Sequence, residues 1–175
     1  MVGRSDVVDG VTYRVAGSHG YPIGRELRIT AAALVTMLTT LGRNPAESGG
    51  KLYAPTDLAA VTVYEHDMLA GAGQPTYRPD IGWASERLKF WQSAPVPHVW
   101  LGDAHSHPTH WCGFLSRQDV DYISEIFSAN ELLAKIGTFL APTVTFDPDG
   151  VPVVWPWAVQ ADRTVWYSPL AVVNK

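Results

Sequence analysis

The sequence offers almost no thiol chemistry. Cys112 is the single cysteine in 175 residues, so the chain cannot form an intramolecular disulfide. A structural zinc site built on several thiolates is excluded for the same reason. Neither a disulfide framework nor a thiolate-rich zinc site is therefore expected to hold the fold together.

Long apolar runs and blocks of basic residues are also missing. No stretch reaches the roughly eighteen apolar residues that span a membrane, and the opening MVGRSDVVDG is too polar for a signal peptide. The net charge is −4, and no cluster of lysine and arginine offers a site for a nucleic-acid backbone or an anionic membrane. We therefore predict a cytoplasmic protein with neither a nucleic-acid partner nor a membrane partner.

The composition that remains is that of an ordinary globular protein. Apolar residues make up 46% of the chain and charged residues 17%, a balance that argues against disorder. A chain of 175 residues can bury a substantial core and suits one domain. We predict a single domain over residues 1–175.

Apolar periodicity predicts helices alternating with strands. The predicted helices cover residues 31–41, 81–92 and 117–129, and the predicted strands cover residues 7–8, 11–15, 51–54, 60–64, 98–104, 138–146, 151–159 and 164–167. The Asp-Pro-Asp-Gly of residues 147–150 predicts a hairpin turn. Pro152 and Pro156 favour an edge position for the strand that contains them. This order predicts an α+β fold with a central mixed β-sheet flanked by helices.

The candidate functional residues lie just beyond the strand at 98–104. His105 and His107 are two positions apart, which sends both imidazoles to one face of an extended strand. Pro108 ends the strand because it cannot donate to a sheet ladder. Ser116 then begins a helix, with Asp119 in its first turn. Two imidazoles and one carboxylate make the three-ligand set of a hydrolytic zinc, whose fourth position is left to water.

Each of these residues also has an ordinary structural explanation. A single histidine is usually a packed or surface residue, and Ser116-x-x-Asp119 is close to an N-capping box. Glu47 precedes Ser48-Gly49-Gly50 and fits a solvated loop acid. The combination favours a metal site, because the strand end, the capping serine and the first-turn aspartate all serve one geometry.

Together these motifs resemble those of a family of zinc peptidases. The His-x-His-Pro of residues 105–108 and the Ser-x-x-Asp of residues 116–119 are similar to the motif of the JAMM metalloisopeptidases, also called MPN-plus or JAB domains. The Glu-Ser-Gly-Gly of residues 47–50 is similar to the upstream glutamate element of prokaryotic JAB domains. Eleven residues separate the second histidine from the aspartate, where the family usually has ten, and the extra residue belongs to the loop over residues 109–115.

The resemblance implies a JAB/MPN-like metallopeptidase domain of the prokaryotic stand-alone type, with layers like those of cytidine deaminases. It implies one catalytic Zn²⁺ held by His105, His107 and Asp119, with Glu47 as general base and Ser116 as hydrogen-bond donor to the oxyanion. The implied reaction is cleavage of a peptide or isopeptide bond after the C-terminal tail of a ubiquitin-like protein, in deconjugation or precursor processing. Such bacterial peptidases often accompany ubiquitin-activation-like enzymes in antiphage or conjugation systems.

Several alternatives stay open. A non-catalytic MPN-type scaffold that binds a partner protein is the main alternative to an enzyme. His110 suggests a metallo-β-lactamase-type motif, although Thr109 stands where that motif needs aspartate. A zinc site of the cytidine-deaminase type, in contrast, is excluded, because it needs more thiolates than Cys112 supplies. Asp103 shares the histidine face and is a candidate partner for an imidazole.

Two further stretches have competing interpretations. Glu65-His66-Asp67 is a rival source of metal ligands, although no strand-helix frame surrounds it. Residues 65–97 stand where JAMM peptidases carry an insertion that grips the substrate tail, and the resemblance implies that they form part of a substrate groove. The alternative is a variable surface loop over a packed helix. His110 and Cys112 lie in the loop that would cover the metal, where an ordinary loop role is expected.

Overall fold

A computed structural model describes residues 2–41, 47–68, 77–107 and 113–174 of the chain. Its helices are α1 Ala31–Leu41, α2 Ile81–Gln92, α3 Arg117–Ala129 and α4 Glu131–Ile136. Its strands are β1 Val2–Val8, β2 Val11–Ala16, β3 Leu27–Thr30, β4 Gly49–Pro55, β5 Val63–His66, β6 His98–Ser106, β7 Thr138–Leu140, β8 Thr143–Phe146, β9 Pro152–Trp155, β10 Trp157–Gln160, β11 Val165–Tyr167 and β12 Leu170–Val173.

Ten of these strands form one mixed sheet with β6 at its centre. The strand order is β1-β2-β9-β8-β6-β7-β10-β11, and β4 also pairs with β6 and carries β5 on its outer side. The pairs β2/β9, β6/β7 and β6/β8 are parallel, whereas the others are antiparallel. β3 and β12 form a separate parallel pair. The α+β fold class with a central mixed sheet flanked by helices is confirmed.

Strand β6 contains one extra residue relative to its antiparallel partner β4. Leu52 pairs with Gly102, and the next residue, Tyr53, pairs with Trp100, so Leu101 is unmatched and forms a β-bulge. The bulge reverses the inward and outward alternation of side chains along the strand. Two residues on either side of Leu101 that are an odd number of positions apart can therefore point to the same face of the sheet, whereas a regular strand would point them to opposite faces.

Helix α1 covers one face of the sheet. The Thr30 hydroxyl accepts a hydrogen bond from the Ala33 N–H at 3.4 Å, as expected for an N-cap. The buried apolar residues of α1 are Ala33, Leu34, Met37, Leu38 and Leu41. They join a cluster that includes Leu52 of β4 and Ala104 of β6. A leucine or methionine side chain contributes roughly 1.5–3 kcal/mol to stability when it is fully buried.

Helices α3 and α4 cover the opposite face. Ile123, Ile126 and Phe127 of α3 pack with Leu133 of α4 and Phe139 of β7 in a second apolar cluster. Because side chains alternate along a strand, the residues that flank Ala104 in β6 face this second layer. The two histidines of the sequence motif therefore lie on the side of α3.

Most predicted elements are confirmed, and the bounds of α2 and α3 agree with those predicted from the sequence. The predicted strand over residues 138–146 is wrong, because Ala141 and Pro142 separate β7 from β8. The predicted strand over residues 151–159 is likewise divided at Pro156 into β9 and β10. Elements β3, β12 and α4 were not predicted. The hairpin turn at residues 147–150 is confirmed, with Gly150 N–H bonded to Asp147 O at 2.9 Å.

The predicted edge position of the strand after that turn is also wrong. β9 lies between β2 and β8 and pairs with both. Pro152 is the first residue of β9, and Pro156 falls between β9 and β10. Neither proline therefore removes a donor from the middle of a ladder, and the strand can occupy an interior position.

None of the helices that the structure describes is long and apolar enough to cross a membrane.

Candidate metal centre

Strand β6 delivers both histidines to one point. Their Nε2 atoms lie 2.9 Å apart, and both residues are buried. Their backbone is fixed from both sides of the strand: His105 pairs with Gly49 of β4, and its N–H donates to Pro142 O at 3.2 Å. The N–H of His107 donates to Val144 O of β8 at 2.9 Å. The i, i+2 spacing therefore produces the juxtaposition that the sequence predicts.

The first turn of α3 delivers Asp119 to the same point. Ser116 is the N-cap, and its hydroxyl accepts from the Asp119 N–H at 3.2 Å. In return the Ser116 N–H donates to Oδ2 of Asp119 at 2.6 Å, which completes a capping box. The other carboxylate oxygen, Oδ1, lies 3.7 Å from Nε2 of His105. The cap thus turns one oxygen toward the backbone and the other toward the imidazoles.

These three side chains fit a metal ion. Their ligand atoms all lie within 4.8 Å of one another, and no other cluster of this kind is found among the residues that the structure describes. Zinc–nitrogen bonds of about 2.0–2.1 Å in a tetrahedron put ligand atoms about 3.3 Å apart. The observed separations of 2.9 Å between the Nε2 atoms and 3.7 Å from nitrogen to carboxylate fall on either side of that value.

The electrostatics of His105 also suit a ligand. Burial lowers its pKa to about 4, although the Asp119 carboxylate acts in the opposite direction and His107 lowers it further. The ring is therefore neutral at pH 7, which is the form that binds metals. A direct hydrogen bond between the two imidazoles also satisfies a 2.9 Å contact, with one Nε2–H donating.

Glu47 lies beside this cluster, just before β4. It is half-buried, and its Oε2 accepts a hydrogen bond from the backbone N–H of Tyr77 at 2.8 Å. Burial raises the pKa of Glu47, while the Tyr77 hydrogen bond and His107 lower it and Asp119 raises it. The residue that holds Glu47, Tyr77, also lies against the His105 ring, which brings the Glu47 carboxylate close to the ligand set.

Tyr77, which no sequence pattern marks as a site residue, contacts two parts of the site. Its ring lies parallel to that of His105, with an interplanar angle of 12° and ring centroids 6.0 Å apart. Its N–H holds Glu47. The ring lies over Gly49, where an added Cβ would come within 2.6 Å of it. The absence of a side chain at Gly49 therefore leaves space for the Tyr77 ring. Tyr77 in turn contacts both the candidate base, Glu47, and a candidate ligand, His105.

A cavity of about 480 Å³ opens beside the cluster. Its wall includes His105 and Asp119, the segment 77–79 with Ile81, and part of α3 that includes Tyr122. Ile123 and Phe139 give one side an apolar lining. Part of the stretch 65–97 therefore borders the site.

Two sets of acidic residues that the sequence offered for the site form other contacts. Asp103 was a candidate partner for an imidazole, but its carboxylate bonds to Lys51 at 2.7 Å and to Trp100 at 2.9 Å. The rival cluster at 65–67 is engaged elsewhere: Glu65 pairs with Arg87 at 2.6 Å, and Asp67 accepts from the Asp80 N–H at 2.8 Å. Residues 108–112, which include His110 and Cys112, lie outside the described part of the chain.

Ser116 is the N-cap of α3, as its Ser-x-x-Asp spacing predicts. Its side chain is exposed at the start of α3, and its oxygen accepts the capping hydrogen bond. A hydroxyl that accepts one hydrogen bond keeps its own proton for donation. The cap is therefore compatible with a second hydrogen-bond partner that accepts from this hydroxyl.

Comparisons with known proteins bear on the fold alone. No family model matches the chain, and no curated protein matches it. A protein of Desulfitobacterium hafniense solved in solution is similar, at 18% identity and a TM-score of 0.63, over 85% of this chain and 93% of that one. A solution structure from Salinibacter ruber is also similar, at 18% identity and a TM-score of 0.54, over 84% of this chain and 92% of that one. The mixed sheet with its helices is thus an arrangement shared with bacterial proteins.

Proposed function

We propose that this protein is a zinc-dependent peptidase or isopeptidase that cleaves after the C-terminal tail of a ubiquitin-like protein in the cytoplasm. The observation that carries the proposal is the convergence of His105, His107 and Asp119 within 4.8 Å, with the half-buried Glu47 held by Tyr77, whose ring lies against His105. The resemblance of the sequence motifs to JAMM peptidases supplies the reaction and the substrate class.

The ligand set suits hydrolytic chemistry. The two imidazoles and the carboxylate would supply three of the four ligands that zinc usually takes, which would leave one for water. When bound in such a site, zinc lowers the pKa of a coordinated water from about 15.7 to about 7. Both histidines are buried, so the site holds its donors in a region of restricted water access, where electrostatic interactions are stronger.

Two side chains of the protein, those of Glu47 and Ser116, perform the proton transfer and the stabilisation of the oxyanion. Glu47 takes the proton of the attacking water and returns it to the leaving amine, a role that contributes typically 10²–10⁴-fold to the rate. The Tyr77 N–H leaves one oxygen of that carboxylate available, because it bonds Oε2 alone. Ser116 donates its hydroxyl to the oxyanion of the tetrahedral intermediate, an interaction worth roughly 3 kcal/mol in other enzymes.

The test combines metal content with cleavage. Protein purified without chelator is analysed for bound zinc, and wild type and Glu47→Gln are assayed on a ubiquitin-like protein fused or conjugated through its C-terminal tail. We expect about one zinc per chain, cleavage by the wild type and little cleavage by the variant. Absence of zinc would favour a non-catalytic scaffold, and full activity of Glu47→Gln would remove that residue from its role as base.

A further inference from the structure

A buried ion pair lies in the β4/β6 ladder, two residues along from the pair formed by Gly49 and His105. Lys51 of β4 and Asp103 of β6 face each other in the ladder, with Nζ 2.7 Å from Oδ2. The side chains are 3% and 5% exposed, so both charges are almost completely removed from water. Burial of two charges costs several kcal/mol per ion, and such pairs often contribute nothing to net stability. The pair therefore calls for an explanation other than stability.

The Asp103 carboxylate is the point at which three elements meet. It accepts from Lys51 of β4, and its Oδ1 accepts from Trp100 Nε1 of β6 at 2.9 Å. The Tyr122 hydroxyl of α3 approaches Oδ2 at 3.5 Å, the longest of the three contacts. The Lys51 ammonium also lies 4.7 Å from the centroid of the Trp100 ring, a cation–π contact.

The candidate functional residues lie on these three elements or directly beside them. Lys51 of β4 lies four residues after Glu47, which precedes that strand; Asp103 lies two residues before His105, and Tyr122 lies three residues after Asp119 on α3. Residues three apart on a helix share a face, so Tyr122 and Asp119 point to the same side. Both line the cavity, as do Asp103 and His105.

We infer that Asp103, with Lys51 and Tyr122, is a positioning residue that sets the spacing between the strand carrying the histidines, the segment carrying Glu47 and the helix carrying Asp119. This inference rests on the proposed function. The ammonium and the phenol fix the carboxylate from two other elements, so displacement of either element must break a hydrogen bond inside the protein. Removal of a group that hydrogen-bonds directly to a metal ligand typically alters metal affinity or activity 10–100-fold. Asp103 acts on His105 through two residues of backbone, so we expect an effect no larger than that range.

The test separates positioning from stability. The double variant Lys51→Met/Asp103→Leu replaces the ion pair by apolar side chains, and Trp100 Nε1 keeps its second acceptor, Gly102 O at 2.8 Å. The single variant Tyr122→Phe removes one hydroxyl. Tyr64→Phe is the matched control, because the Tyr64 hydroxyl is also largely enclosed but bonds His66 rather than Asp103. For each protein we measure the thermal midpoint without metal, the Zn²⁺ affinity by chelator competition and the visible absorption with Co²⁺.

We expect the double variant to retain a midpoint within a few degrees of the wild type, while its Zn²⁺ affinity falls about 10–100-fold and its Co²⁺ absorption weakens. Tyr122→Phe is expected to lose affinity several-fold, and Tyr64→Phe to bind as the wild type does. Wild-type affinity and Co²⁺ absorption in the double variant overturn the inference. If the double variant does not fold, equal affinity of Tyr122→Phe and Tyr64→Phe overturns it. A wild type that binds neither ion overturns the proposed function as well.

Discussion

The backbone N–H of Tyr77 donates to Oε2 of Glu47 at 2.8 Å, across thirty residues of sequence. The Tyr77 ring also lies against His105, so a single residue contacts the candidate base and a candidate ligand. This arrangement makes the position of Glu47 depend on the packing of Tyr77, and that packing depends on the absence of a side chain at Gly49. The first prediction follows from this dependence.

Gly49→Ala should displace Tyr77, because the new Cβ would lie 2.6 Å from its ring. We expect overpacking to cost about 1–3 kcal/mol of stability. We also expect cleavage to fall about 100-fold, since misplacement of reacting groups by about 1 Å has that effect. Gly24→Ala is the control, because its Cβ would meet Trp166 at an ordinary 3.4 Å. Cleavage by Gly49→Ala at the rate of the control would contradict the role assigned to Tyr77.

Glu47→Gln should abolish cleavage while zinc binding is kept, because Glu47 is not one of the three ligands. In the wild type, the rate should fall on the acid side through a pKa above 4.5, since burial raises the pKa of this carboxyl. Rates measured from pH 4 to 8, with zinc occupancy checked at each pH, test this. An acid limb at or below pH 4.5 with full zinc occupancy would exclude Glu47 as the titrating base.

The same variant should stabilise the metal-free protein. Because the folded-state pKa of Glu47 is raised, the unfolded chain releases this proton first as the pH rises above 4.5, so ionisation favours the unfolded state. The contribution of Glu47 to stability is therefore present at low pH and lost as the pH rises through the folded-state pKa. Glu47→Gln should have the higher thermal midpoint at pH 7, and the difference should shrink toward pH 4.5. A lower midpoint at pH 7 would contradict the direction of this shift.

Zinc should stabilise the fold through its three ligands. At a free concentration of 100 times Kd, a ligand that binds only the folded state adds about 2.7 kcal/mol, which raises the thermal midpoint of a chain of this size by roughly 5–10 °C. Asp119→Ala should remove most of this increase. Asp121→Ala is the matched control on the same helix, because the Asp121 carboxylate pairs with Arg163 at the surface. An unchanged zinc response in Asp119→Ala would exclude that carboxylate as a ligand.

Ser116→Ala distinguishes a capping role from a catalytic role. Loss of the N-cap should cost about 1 kcal/mol, and Asn130→Ala, which removes the side chain that caps α4, should cost a similar amount. If Ser116 also donates to the oxyanion, cleavage should fall about 100-fold in Ser116→Ala alone. Equal activity of the two variants at a temperature where both are folded would limit Ser116 to the cap.

The convergence of His105, His107 and Asp119 could be predicted from the sequence because its geometry is local. The period of a strand places His105 and His107 on one face, and the capping pattern places Asp119 in the first turn of a helix. These rules act over a few residues and need no knowledge of the whole fold. The position of Glu47 beside the cluster required the family resemblance, since fifty-eight residues separate it from His105.

The contacts of Tyr77 and the pairing of Lys51 with Asp103 could not be predicted, because each joins segments that lie far apart in the sequence. Tyr77 lies in a segment without helix or strand periodicity, so no pattern connects it to Glu47 or His105. Lys51 pairs with Asp103 only because β4 aligns with β6 in one register. The interior position of β9 was missed because a proline prevents pairing only where its missing N–H would have been used, and that depends on where each strand begins.

The bulge at Leu101 divides β6 into two parts that can change independently. Trp100 reaches Asp103 because the unmatched residue turns both to one face, although an odd number of positions separates them. Deletion of Leu101 would restore a regular ladder in which Trp100 still pairs with Tyr53 and Gly102 with Leu52, so residues 98–100 and residues 102–107 would keep their partners and their faces. The strand thus offers a natural junction for engineering, at which the aromatic end can be redesigned without moving the two imidazoles.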